Sequence, residues 1–206
     1  MNITFKSFIV AVSLPLILAG CGTTPASKFY LLSAEAGHFP SGSSPSLGVG
    51  PIEIPEYLNR NALVYNREGN RLHIANFERW AEPLDSSISR VIRLNLASLL
   101  DTQNVQSFPW SKSDAPQYGV EVTVLNLDAN DQRARLVAEW HIYRAQKNRA
   151  TILRRVIELD YTMSAGAVTA AEVAPAYSNL LLQLSEIIAA AISEDYASQN
   201  TAAANN

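Results

Sequence analysis

Cysteine is almost missing from this chain: among 206 residues there is one, Cys21. A single thiol closes no internal disulfide, so the fold must be held by packing and hydrogen bonds. Histidine is nearly as scarce. His38, His73 and His141 lie far apart, without the spacing that gathers ligands around a metal, and read as ordinary loop and strand residues. No Gly-x-Ser-x-Gly turn and no phosphate-binding loop occurs, so neither nucleophilic catalysis nor nucleotide binding has a motif to rest on. The run Gly48-Val49-Gly50-Pro51 begins like a dinucleotide loop but lacks the third glycine and the helix that should follow. Asp128, Asn130 and Asp131 open a calcium-like sequence whose twelve-residue pattern is never completed, and a plain turn explains them. Clusters of positive charge are missing too: 16 Lys and Arg face 19 Asp and Glu, and Arg154-Arg155 is the only adjacent basic pair. A mildly acidic chain of this kind argues against nucleic acid. Nothing here points to a catalytic residue, a metal or a cofactor.

What is present begins at the N-terminus. Lys6 lies in a short polar start, and an apolar run from Phe8 to Ala19 follows, broken by Ser13 and Pro15. That run is too short to cross a bilayer, which takes roughly 20 apolar residues, and fits a secretory leader, which takes about 7–15. It ends in Leu18-Ala19-Gly20-Cys21, small residues before a thiol. Small residues let a peptidase reach the backbone, and the thiol can accept a diacylglycerol. This pattern is similar to the lipobox of bacterial lipoproteins. It predicts removal of residues 1–20 and a lipid on Cys21, whose two or three chains anchor firmly where one anchors only marginally. Gly22 stands where Asp resembles an inner-membrane retention signal. The resemblance therefore implies the periplasmic face of the outer membrane.

Residues 21–27 read as a tether, 28–197 as one domain and 198–206 as a disordered tail. Removing the leader leaves enough chain for one domain with a real core. Lys28 to Ser33 reads as a strand. Residues 34–46, rich in Gly, Ser and Pro, read as a mobile loop. Leu47 to Ile54 alternates as a strand in which Pro51 implies an edge or a bulge. Ala62–Asn66 and Arg71–Ala75 flank Arg67-Glu68-Gly69-Asn70 as a hairpin. Helical spacing of Leu84, Ile88, Val91, Ile92, Leu96 and Leu99 predicts a helix starting near Pro83. Three strands over 117–128, 133–146 and 150–163 with short turns predict an antiparallel meander. A last helix is expected from about Pro175 to Tyr196. No further apolar run of bilayer length is expected. The order strands, helix, strands, helix predicts an α+β domain: a mainly antiparallel sheet with two long helices packed on one face.

Two stretches are unusual. Pro55, Tyr57, Leu58 and Arg60 form a proline-led turn before the next strand, with Asn59 inside it. Arg79, Trp80, Glu82 and Pro83 lead into the first helix, with Trp80 wedged against the sheet, Arg79 outward and Glu82 capping. The spacing of Phe77, Trp80 and Leu84 predicts a chain already turning helical there.

The lipobox, the Lys-Phe-Tyr-Leu-Leu strand, the Pro-x-Tyr-Leu-x-Arg turn, the Arg-Trp-Ala-Glu-Pro-Leu helix entry and the element order together resemble the PqiC-type family of ABC transport auxiliary lipoproteins. The likeness spans nearly the whole chain, although Asn59 stands where the family more often has Asp. It implies a non-enzymatic docking subunit for an MCE-domain protein that carries phospholipid between membranes. Because such proteins resemble symmetric rings, it also implies a matching homo-oligomer. The competing reading is a stand-alone carrier lipoprotein with a lipid or small molecule held between sheet and helices.

Overall fold

The computed structural model describes residues 25–204 apart from 69, 147 and 165–167; the leader, Cys21 and the Gly69 turn position lie outside the described residues. Eight strands and two long helices follow in the order β1 (Lys28–Tyr30), β2 (Leu47–Glu53), β3 (Ala62–Glu68), β4 (Arg71–Trp80), α1 (Leu84–Leu99), β5 (Val105–Ser107), β6 (Tyr118–Ala129), β7 (Arg133–Arg144), β8 (Ala150–Thr162) and α2 (Ala170–Ala204). This is the α+β order that the sequence predicts. The strands form two mixed sheets, β1-β4-β3 and β5-β2-β6-β7-β8.

The larger sheet is built on the antiparallel meander β6-β7-β8, and β2 joins it parallel to both β6 and β5. A strand with a partner on each side has no room for proline in its ladder. Here the register slips between Val49 and Ile52, so that Pro51 falls in a bulge. The two glycines before it make room for aromatic rings rather than for a phosphate. A Cβ on Gly48 would lie 2.6 Å from the Trp110 ring, and Gly50 sits at φ +117 beside Phe108.

Alternation on the meander sends Val120, Val122, Val124, Leu136, Ala138, Trp140 and Ile142 to one face, all buried. α2 covers the meander, while α1 packs beside it over β2 and β5. The opposite face carries paired charges: Arg133 and Arg135 reach Asp160, Arg154 reaches Glu139, and Arg149 pairs with Glu121. α2 is 35 residues long and apolar enough by composition to cross a bilayer, contrary to the expectation from sequence, yet 56% of its most apolar window is buried within the domain. It is the core helix.

Three local readings are corrected. Residues 77–80 are not a helical entry but the end of β4, because Arg79 pairs with Phe29 on one side and Ala62 on the other. Two ladders of inter-strand hydrogen bonds override the local helical spacing. The segment 34–46 is a strap laid along α1, not a free loop. Its amides at Glu35 and Ala36 donate to Asn95 Oδ1, and those at His38 and Ser41 donate to Ser98 Oγ and Asp101. Finally, α2 starts at Ala170 and runs on to Ala204, through the segment expected to fray. Ala-rich sequence favours helix, and Gln199 is tied to Tyr118 and Asp195 at 2.7 and 2.6 Å.

Candidate functional site

The two unusual stretches meet in space. Pro55–Leu58 makes a short 3₁₀ turn, with the Leu58 amide donating to the Pro55 carbonyl at 2.9 Å. The turn delivers the chain to β3 beside the end of β4, where the Trp80 amide donates to the Asn61 carbonyl at 2.7 Å. One residue on, the Ala81 amide donates to the Tyr30 carbonyl at 2.8 Å. The turn, β1, β4 and the start of α1 thus share one junction.

Within it the side chains divide sharply. Leu58 and Trp80 are buried. Trp80 stacks on Tyr177 of α2 with ring centroids 6.2 Å apart and an interplanar angle of 29°. The indole is a core group, as the sequence reading has it, but its principal ring partner belongs to the last helix. Pro55, Tyr57 and Arg79 are half-buried, whereas Arg60 and Pro83 are exposed. Tyr57 Oη accepts the Leu127 amide at 3.3 Å.

Glu82 does not cap α1, which has no side-chain cap at Pro83. Its carboxylate instead takes two hydrogen bonds from Arg90, at 2.7 and 3.0 Å, and the same guanidinium donates to the Leu32 carbonyl at 2.8 Å. Arg90 offers the carboxylate a full positive charge and two hydrogen bonds, where a helix-end amide offers an uncharged donor. Burial works to raise the Glu82 pKa, but the bonds from Arg90 and Ser87 and the Arg90 charge outweigh it and hold the group below the ordinary carboxylate value. Sequence reasoning missed Arg90 as the clamp joining the segment after β1 to α1; its spacing two turns beyond Glu82 was the available signal.

Under the junction lie three groups that burial pushes toward their neutral forms. Tyr177 is fully enclosed and its hydroxyl has no hydrogen-bond partner among the described residues; burial and the nearby Asp128 and Tyr57 raise its pKa well above the ordinary value. Burial also raises Tyr57, against the Leu127 hydrogen bond, and Asp128, against the charges of Arg135 and Arg133.

The histidines remain apart. His38 faces Ser98 at 3.2 Å, His73 packs on Tyr65, and His141 sits between Glu121 and Thr151. Among the described residues no group of three or more His, Cys, Asp or Glu side chains is placed to hold a metal. Asp131 accepts the Val168 amide at 2.8 Å and Asn130 accepts the amides of Gln132 and Arg133, the plain turn that the sequence suggests.

Comparison with known proteins gives the same outline. Residues 30–189 match the family described as ABC-type transport auxiliary lipoprotein component. The chain is 29% identical over 140 residues to the intermembrane transport lipoprotein PqiC of Escherichia coli K12, covering 66% of this chain and 73% of that protein. The PqiC of Shigella flexneri matches to the same extent. Among solved structures, an uncharacterized protein superposes with a TM-score of 0.65 at 24% identity, over 82% of this chain and 99% of the other. A protein from Xanthomonas campestris superposes with a TM-score of 0.58 at 14% identity, over 86% and 99%. These two likenesses bear on the fold.

Proposed function

Because the chain belongs to the family of ABC-type transport auxiliary lipoprotein components, we propose that it is the non-enzymatic docking subunit of an MCE-type intermembrane phospholipid transport system. In this reading residues 1–20 are removed, Cys21 carries the lipid, and the domain over 28–197 hangs from the outer membrane on its periplasmic face. The observation that carries the proposal is the 140-residue likeness to a protein named for intermembrane transport. The junction supports it by the way its members divide. Leu58 and Trp80 hold the elements together, while Arg60, Pro83 and part of Arg79 remain at the surface as candidate contacts for the MCE protein. A ring-shaped partner would be met by a homo-oligomer of matching symmetry.

The test is purification of the acylated chain from membranes in gentle detergent, with identification of bound proteins by mass spectrometry. An MCE-domain protein should co-purify, and charge reversal at Arg60 and Arg79 should weaken its retention without lowering the melting temperature. A monomer that retains no protein partner from the native envelope would overturn the reading. Gly22→Asp should shift the protein toward the inner membrane; unchanged fractionation would remove the outer-membrane assignment alone.

A further inference from the structure

Two depressions lie end to end along the outward side of α1, and Arg93 lines both. The first, about 440 Å³, runs between α1 and the strap and is walled mainly by Ala36, Phe39, Leu94, Ala97 and Val105. Its apolar walls are unusually open: Phe39 is 87% exposed and Leu94 49%. The second, about 410 Å³, is polar, with Ser86, Ser89 and Ser107 facing it. Arg90 borders this second depression but is already paired with Glu82, and Asp85 lies two helical turns from Arg93, roughly 12 Å along the axis.

Arg93 stands where the two chemistries meet. The side chain is half-buried and lines both depressions, and among the described residues its guanidinium makes no ion pair. An unpaired guanidinium at the meeting of an apolar and a polar depression suits an anionic group, which it can hold by charge-assisted hydrogen bonds. We infer that the groove along α1 binds a single-chain anionic amphiphile, its acyl chain between the strap and α1 and its anionic head on Arg93. This holds whether or not the docking reading does.

An acyl chain fits better than a peptide. The strap amides at Glu35, Ala36, His38 and Ser41 are donated inward to α1 and the turn that follows it. Pro40 has no amide, and its carbonyl is taken by Gln103. The groove wall therefore offers little with which to grip the main chain of a peptide, whose polar groups would need partners on burial. Hydrocarbon needs none. A groove of a few hundred Å³ with one convergent charged group is the usual form of a small-molecule site.

The test uses the acylated full chain in nanodiscs of zwitterionic phosphatidylcholine, exposed to diazirine-bearing amphiphiles, with adducts mapped by mass spectrometry. A fatty acid and a lysophosphatidate form the two anionic arms; a monoacylglycerol is the uncharged control. Adducts should concentrate on the peptides carrying Phe39 and Leu94, with at least one anionic probe labelling roughly tenfold above the control. Whichever anionic arm labels more strongly identifies the head group. Ala97→Trp, which fills the groove, and Arg93→Gln should each lower labelling roughly tenfold, whereas Arg93→Lys should retain most of it. Should Ala97→Trp fail to fold, Leu94→Gln at an exposed position serves the same purpose. Equal labelling by the uncharged probe, or labelling indifferent to every one of these changes, would overturn the inference. So would a photoreactive residue at position 97 that captures protein in the cell and no lipid.

Discussion

At the junction, the group that fixes α2 against the rest of the domain is an indole: Trp80 stacks on Tyr177 among buried apolar neighbours. Near the other end of the same helix the task falls to a carboxylate. Asp195 accepts from Arg144 at 2.6 Å, from the Tyr118 hydroxyl at 2.8 Å and from Gln199 at 2.6 Å. The same mechanical task is thus met by area at one end and by charge at the other. Burial of area is indifferent to pH and strengthened by many salts, whereas a charge-assisted network is strong only while the carboxylate is ionised. The helix should therefore loosen from its C-terminal end as the pH falls, with the junction holding longest.

The comparison breaks most visibly at Trp80. Trp80→Ala should cost about 3–5 kcal/mol, a large share of a typical domain stability of about 5–15 kcal/mol. Thermal unfolding should show the same loss at neutral and at acid pH. A variant as stable as the wild type would mean that the indole does not fix the helix.

Asp195→Ala is the counterpart and should cost about 1.5–3 kcal/mol, since hydrogen bonds to a charged group are lost. Burial alone would raise the Asp195 pKa, but the bonds from Arg144, Tyr118 and Gln199 and the Arg144 charge hold it below the ordinary value. The unfolded chain therefore takes up the proton first. The stabilisation is complete above the unfolded carboxylate value, about 3.9, and is lost as pH falls through the folded one. The difference between wild type and Asp195→Ala, followed by urea denaturation, should accordingly shrink on acidification. A constant difference would assign the effect to packing.

A second aspartate sharpens the contrast by having the opposite sign. The pKa of Asp128 is raised by burial. The native state then binds the proton more readily, and its contribution to stability falls as pH rises through the folded value. Asp128→Asn should stabilise the protein at neutral pH by on the order of 0.5 kcal/mol, the group being partly exposed, and the gain should vanish in acid. The smallest expected change is Arg79→Ala, within about 0.5 kcal/mol. Its use is to separate surface from core at the junction: retention of the partner should fall while the melting temperature barely moves.

Much of this was legible in the residues. Alternation of Val120, Val122 and Val124 against Leu136, Ala138 and Trp140 predicts the meander almost to its ends, because each strand pairs with its sequence neighbour across a short turn. Pro51 marks the bulge, and the spacing from Leu84 to Leu99 marks α1. The candidate site was legible as two segments and as a buried Trp80, but not as one place. Nothing local shows that Asn61 meets Trp80, or that Glu82 turns from the helix end to Arg90.

The sequence by itself determined the element order, the apolar face of each long strand and the absence of recognised catalytic motifs, since each depends on residues a few positions apart. Only the tertiary structure decided that Phe77 to Trp80 is a strand, that the Gly-, Ser- and Pro-rich segment is a strap, and that α2 continues to Ala204. In each case the deciding partner is remote. Phe29 and Ala62 extend the backbone at Arg79, Asn95 and Ser98 hold amides some 60 residues away, and Tyr118 bonds Gln199 across 81 positions. A backbone amide or a side-chain carboxylate takes the best acceptor or donor within reach, and reach is set by the fold rather than by spacing along the chain.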